Sequence, residues 1–143
     1  MEQDTIRLLR ECDAGVKMGV ASIGDVLDHV KADSLKTALT DCKRDHEMLE
    51  KEIQTLLNRY QDDGKEPNPM AKGMSWMKTN VKLTMDPSDA TIADLMTDGC
   101  NMGVKSLSKY LNQYQAADET SKNITKRLIS LEEQLAIDIR SFL

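Results

Sequence analysis

Cys42 and His46 stand four residues apart, so on a helix their thiol and imidazole share one face. Both are donors that suit zinc or copper, and a further cysteine, Cys100, falls on the apolar stripe of a later helix. Glu132 adds an oxygen donor only if the fold brings it beside His46. Packing offers a plainer account of the same residues. Cysteine is among the most buried residue types, and a single core histidine is commonly satisfied by hydrogen bonds. The chain contains two histidines and no Ser-His-Asp arrangement, phosphate loop, Cys-x-x-Cys pair or nucleic-acid motif, which leaves little for acid-base or nucleophilic catalysis. His29 falls at the end of the first helix, where the helix dipole accounts for it.

The elements that must position these groups are read from one pattern written twice. Gly15-Val-Lys-Met-Gly-Val-Ala-Ser22 and Gly99-Cys-Asn-Met-Gly-Val-Lys-Ser106 share Gly-x-x-Met-Gly-Val-x-Ser, 84 residues apart. The repeat predicts a duplicated helical hairpin. In the first helix, over 3–31, Ile6, Leu9, Asp13, Val16, Val20, Ile23, Leu27 and Val30 recur at helical spacing. Asp13 interrupts that stripe, so it must be hydrogen-bonded, paired with a basic residue or near a bundle end. Gly15, Gly19 and Gly24 each cost about 1 kcal/mol against Ala in a helix interior. The Gly15/Gly19 and Gly99/Gly103 pairs are expected to face each other and let the helices approach closely.

A turn around Lys31 to Ser34, with Asp33 or Ser34 as N-cap, leads to a second helix striped by Leu35, Leu39, Cys42, His46, Leu49, Ile53, Leu56 and Tyr60. Gly64, Pro67 and Pro69 then end the first hairpin, 3–61. A crossover over 62–86 carries Met70, Met74, Trp76, Met77 and Val81 at helical spacing, which predicts a short helix covering the bundle or, if exposed, serving dimerisation. Asp86 as cap and Pro87 at the first helical position begin the second hairpin, 87–143. Its first helix, over 87–116, is striped by Ile92, Met96, Cys100, Gly103, Leu107, Leu111 and Tyr114. Its second carries Ile124, Leu128, Leu131, Leu135, Ile139 and Phe142. The expected fold is all-α: one domain of 1–143, an antiparallel four-helix bundle of two repeated hairpins joined by a long crossover, the ferritin-like connectivity.

Composition agrees. In 143 residues, 40% hydrophobic content with 3% aromatic and 30% charged residues describes an aliphatic core under a charged surface. A net charge of −5 argues against nucleic-acid and anionic-membrane binding. No segment approaches the ~20 apolar residues of a membrane span, and the first residues carry no export signal, so a cytoplasmic location is expected. Three widely spaced cysteines, Cys12, Cys42 and Cys100, do not form a disulfide framework.

Ala14-Gly15-Val16 and Asp98-Gly99-Cys100-Asn101 resemble the Ala-Gly-Glu signatures of rubrerythrin-type ferritin-like proteins, and Arg44-Asp45-His46 with Leu49-Glu50 resembles their Glu-x-x-His helix. Gly73 to Lys78 resembles, in addition, an uncharacterised bacterial branch of that superfamily. The resemblance implies a di-iron site with carboxylates at Val16 and Cys100, a pair at Lys43 and His46, and a pair at Glu132 and Leu135. Of those six positions only His46 and Glu132 carry a suitable ligand. Valine and leucine cannot donate to iron, and the Lys43 ammonium would repel it. The resemblance therefore implies a degenerate site, with neither metal nor cofactor expected, in a non-enzymatic structural or partner-binding module, plausible as a homodimer. The alternative is a protein of redox or metal-handling role that binds iron, manganese or zinc through His46 with Cys42, Cys100 or Glu132.

Overall fold

The computed structural model describes residues 2–67 and 88–143, and the crossover cluster of Met70, Met74, Trp76, Met77 and Val81, like Asp86 and Pro87, lies outside them. Among the described residues the chain is all-helical: α1 (Glu2–Leu27), α2 (Asp33–Arg59), α3 (Asp89–Gln113) and α4 (Glu119–Ile139), with a 3-10 turn at Arg140–Phe142. No helix among them is long and apolar enough to cross a membrane.

The apolar stripes predicted from spacing become two clusters of buried side chains, stacked along the helices. One gathers Ile23, Val26, Leu35, Leu39, Ile92, Met96, Leu135 and Ile139 with Cys42 and Cys100. The other gathers Leu9, Cys12, Val16, Leu49, Ile53, Leu57, Leu107, Ile124 and Leu128. The first cluster takes the ends of α1 and α4 but the beginnings of α2 and α3, so α2 and α3 run parallel. α1 packs on α2 and α3, α4 packs on α3 and α2, and α1 also meets α4, leaving α2 and α3 on the long diagonal. Each side-by-side pair around the square is antiparallel. The end of α2 and the beginning of α3 therefore lie at opposite ends of the bundle.

Helix ends differ from those read in the sequence because tertiary contacts decide them. α1 stops at Leu27 rather than 31, and the N-cap of α2 is Ala32, without a side-chain cap, rather than Asp33 or Ser34. The amides there are met from α3: the Asp89 carboxylate accepts from Lys31 N and Ala32 N, both at 2.9 Å. The other hairpin turn is tied in the same manner from the start of α1, where Asp4 accepts from Ala116 N at 3.1 Å and Thr5 from Asp118 N at 2.9 Å. Ser88, two residues past Asp86, caps α3 by accepting from Thr91 N, and Asp118 caps α4 by accepting from Ser121 N. α2 ends with Gln61 at φ 55 and Asp62 N donating to Leu57 O, the arrangement that closes a helix C-terminus.

Candidate functional site

Between the two apolar clusters each helix contributes one residue to a polar layer: Gly19 from α1, His46 from α2, Gly103 from α3 and Glu132 from α4. The layer follows from the stripes. His46 falls between Cys42 and Leu49, and Glu132 between Leu128 and Leu135, so both must face the core. His46 is 1% and Glu132 9% exposed. The glycines make room. A Cβ on Gly19 would stand 3.0 Å from the His46 ring, and one on Gly103 would stand 3.4 Å from the Glu132 carboxyl carbon.

This revises two expectations. The second glycines of the repeat do not serve a close approach of α1 to α3. Both face the same buried pair. Gly15 has only ordinary contacts, to Leu107 and Leu128, while Gly24 and Gly99 face nothing within 4 Å. Nor does Val16, a carboxylate position of the implied di-iron set, face His46: it packs in the second cluster, and Gly19 meets the ring. Side chains lean toward the N-terminus of their own helix, which carries His46 toward the end of α1 and past Val16.

Both nitrogens of His46 are engaged. Nδ1 donates to the Cys42 carbonyl at 2.8 Å, with the Cys42 sulfur at 3.5 Å, and Nε2 lies 3.0 Å from Glu132 Oε1. Burial opposes a charge on the ring. The hydrogen bonds with Cys42 and Glu132 and the Glu132 charge outweigh it, and His46 is raised from 6.5 to about 10. With Nδ1 committed as a donor, the raised value favours a protonated ring whose Nε2 donates toward Glu132. The Cys100 thiol also bonds Glu132, and burial together with that negative charge pushes the thiol far up.

The structure thus brings together all four residues proposed for a metal: Cys42, His46, Cys100 and Glu132. Their chemistry as placed does not suit one. A histidine ligand needs an unprotonated nitrogen, and a cysteine ligand needs a thiolate. Here Nδ1 donates to a backbone carbonyl, Nε2 is occupied by Glu132, and burial with the Glu132 charge raises the Cys100 thiol, so a metal would have to displace Glu132 from Nε2 and a proton from Cys100. Among the described residues no group of three or more His, Cys, Asp or Glu is arranged to hold a metal ion. The remaining positions of a di-iron set do not fit either, with Val16 and Leu135 in the apolar clusters and Lys43 carrying a positive charge. Cys12, Cys42 and Cys100 are free and buried, and burial foremost pushes Cys12 up to about 11 despite its 3.2 Å contact with the Thr125 hydroxyl.

A second polar cluster lies toward the other end. Asp13 is fully buried, accepting from Gln54 Nε2 at 2.8 Å and from the Lys65 amide at 2.7 Å, with Lys17 Nζ at 3.0 Å. The partners expected for Asp13 are therefore present. Glu50 and Gln54, which sequence reasoning missed, share its environment, and their one visible signal was the four-residue spacing beside the core stripe of α2.

No family model, no curated protein and no solved structure matches this chain.

Proposed function

We propose that this chain is a ferritin-like bundle of two repeated hairpins whose metal layer is taken over by the His46 and Glu132 ion pair, and that it serves the cytoplasm as a non-enzymatic structural or partner-binding module, acting as a homodimer. Parallel α2 and α3 joined end to end support the ferritin-like reading. The observation that carries the loss of metal chemistry is that both His46 nitrogens are hydrogen-bonded within the protein, to Cys42 O and Glu132. A buried pair of this kind favours one helix register over others, because a slip by one residue would strand both charges in an apolar core.

The second reading is a protein that binds iron, manganese or zinc through His46. Its support is a chain of contacts: Cys42 touches His46, His46 touches Glu132, and the Cys100 thiol bonds Glu132. Elemental analysis of tag-free protein from cells supplemented with the three metals, beside a His46→Ala control, separates the two. The proposed function requires no stoichiometric metal in the wild-type protein. Near-stoichiometric metal that disappears in the control supports the second reading instead.

A further inference from the structure

Asp13, Glu50 and Gln54 occupy the corner where α1, α2 and the chain after α2 meet. Gln54 Nε2 donates to Asp13 Oδ1 and to Glu50 Oε1, each at 2.8 Å, so one amide nitrogen spans two carboxyls. The other Glu50 oxygen, Oε2, is shut off from solvent, and among the described residues no donor reaches it. A buried carboxylate oxygen without a donor is costly, and protonation removes the cost by turning it into a donor toward Asp13. Asp13 Oδ2 in turn holds the Lys65 amide, and Gly64, at φ 86, lies so close to Asp13 that a side chain there would collide with it. Arg10 with Asp62, Lys17 with Glu66 and Lys65 with Glu11 fasten the same stretch across α1.

We propose that Asp13 and Glu50 share one proton and act as a pH-sensitive latch that docks residues 61–67 on α1, and that losing the proton loosens this segment, from which the crossover departs. Among the described residues the charged side chain facing the pair is Lys17 on α1; in the docked segment Lys65 turns its ammonium to Glu11 and Glu66 reaches Lys17. Lys17 already lies at 3.0 Å from both Asp13 and Glu66, so one ammonium is shared by acids before Glu50 ionises. A second carboxylate beside Asp13 has no cation of its own.

The direction follows from linkage. Burial first, then the bond to Asp13, raises Glu50 from 4.5 to about 7. Burial would raise Asp13 too, but the bonds with Glu50, the Lys65 amide and Lys17 hold it below its ordinary 3.8. A raised carboxyl contributes fully below its ordinary value and loses that contribution as pH climbs to its docked value. A depressed one contributes above its ordinary value and loses that as pH falls. The latch therefore weakens between 4.5 and about 7, reaches a plateau above that, and weakens separately in strong acid.

Amide hydrogen exchange of Lys65, followed by NMR and corrected for intrinsic exchange, reads the latch directly. Protection in the wild-type protein is expected to drop by up to about tenfold per pH unit between pH 5 and 7 and then level off. Glu50→Gln keeps an N–H donor toward Asp13 without a titrating proton, and its Lys65 protection is expected to be flat over that range. Carbon-detected titration of the Glu50 carboxyl in the wild-type protein gives an independent reading that needs no variant. A midpoint at the ordinary glutamate value, or Lys65 protection independent of pH in the wild type, overturns the latch.

Discussion

His46 Nε2 and Glu132 Oε1 meet at 3.0 Å across 86 residues of chain, and the residues of α1 and α3 at that level, Gly19 and Gly103, carry no side chain. Two large polar groups and two glycines fill a space that four medium side chains would fill elsewhere in the core. The apolar clusters on either side hold the pair away from water, which strengthens the attraction within it and raises the cost of breaking it.

The glycines separate into two kinds by what surrounds them. Gly24→Ala and Gly99→Ala add a methyl group where nothing lies within 4 Å, and each is expected to stabilise the protein by about 1 kcal/mol through helix propensity. Gly19→Ala pushes against a ring fixed at both nitrogens and is expected to destabilise by about 1–3 kcal/mol. Urea unfolding midpoints of the three variants test the contrast, and equal effects would show that the layer is not tightly packed.

Removing one member of the buried pair leaves the other unpaired. Glu132→Leu or His46→Leu alone is expected to cost about 3–5 kcal/mol, whereas the double variant is expected to recover most of that loss. A double-mutant cycle by chemical denaturation measures the coupling. Additive effects would mean that the two side chains do not depend on each other.

Much of the fold was legible before the structure was known. The stripes Ile6 to Val30 and Leu35 to Tyr60 mark most of the faces that α1 and α2 bury, and His46 stands in its stripe at a core position, whereas Glu132 takes the buried place that the stripe assigns to Leu131 and Leu57 the one it assigns to Leu56. The helix ends were not legible, because Asp89 bonds the Lys31 and Ala32 amides from more than fifty residues away. The di-iron set implies Val16 beside His46, but the His46 side chain leans along its helix and meets Gly19 instead. Glu50 was invisible as part of a site since its role depends on Gly64 and Lys65 folding back over Asp13.

Asp89 substitutes for the missing side-chain cap of α2. Asp89→Ala is expected to lower stability by about 1–2 kcal/mol and to speed exchange at the Lys31 and Ala32 amides selectively. Hydrogen exchange by NMR checks both halves of that expectation. A uniform change across the chain would assign the effect to something other than the clamp.

Stability should fall on the alkaline side because His46 is raised. Its contribution is fully present below 6.5 and is lost as pH rises through about 10. Unfolding free energies at several pH values from 6.5 to 9.5 are expected to decline in the wild-type protein. In His46→Gln the decline between about pH 7.5 and 8.5 is expected to vanish, since Glu50 has finished titrating by then and thiols, with an ordinary value of 9.0, enter only near the top of the range.

Nitrogen NMR of the labelled His46 ring at pH 8 tests most directly whether it is an imidazolium held between Cys42 O and Glu132. The prediction is that Nδ1 and Nε2 both carry protons at pH 8 and that the ring titrates only as pH approaches about 10. A midpoint near the ordinary 6.5, or an unprotonated nitrogen at pH 8 that shifts when zinc is added, would contradict it and return the layer to metal chemistry.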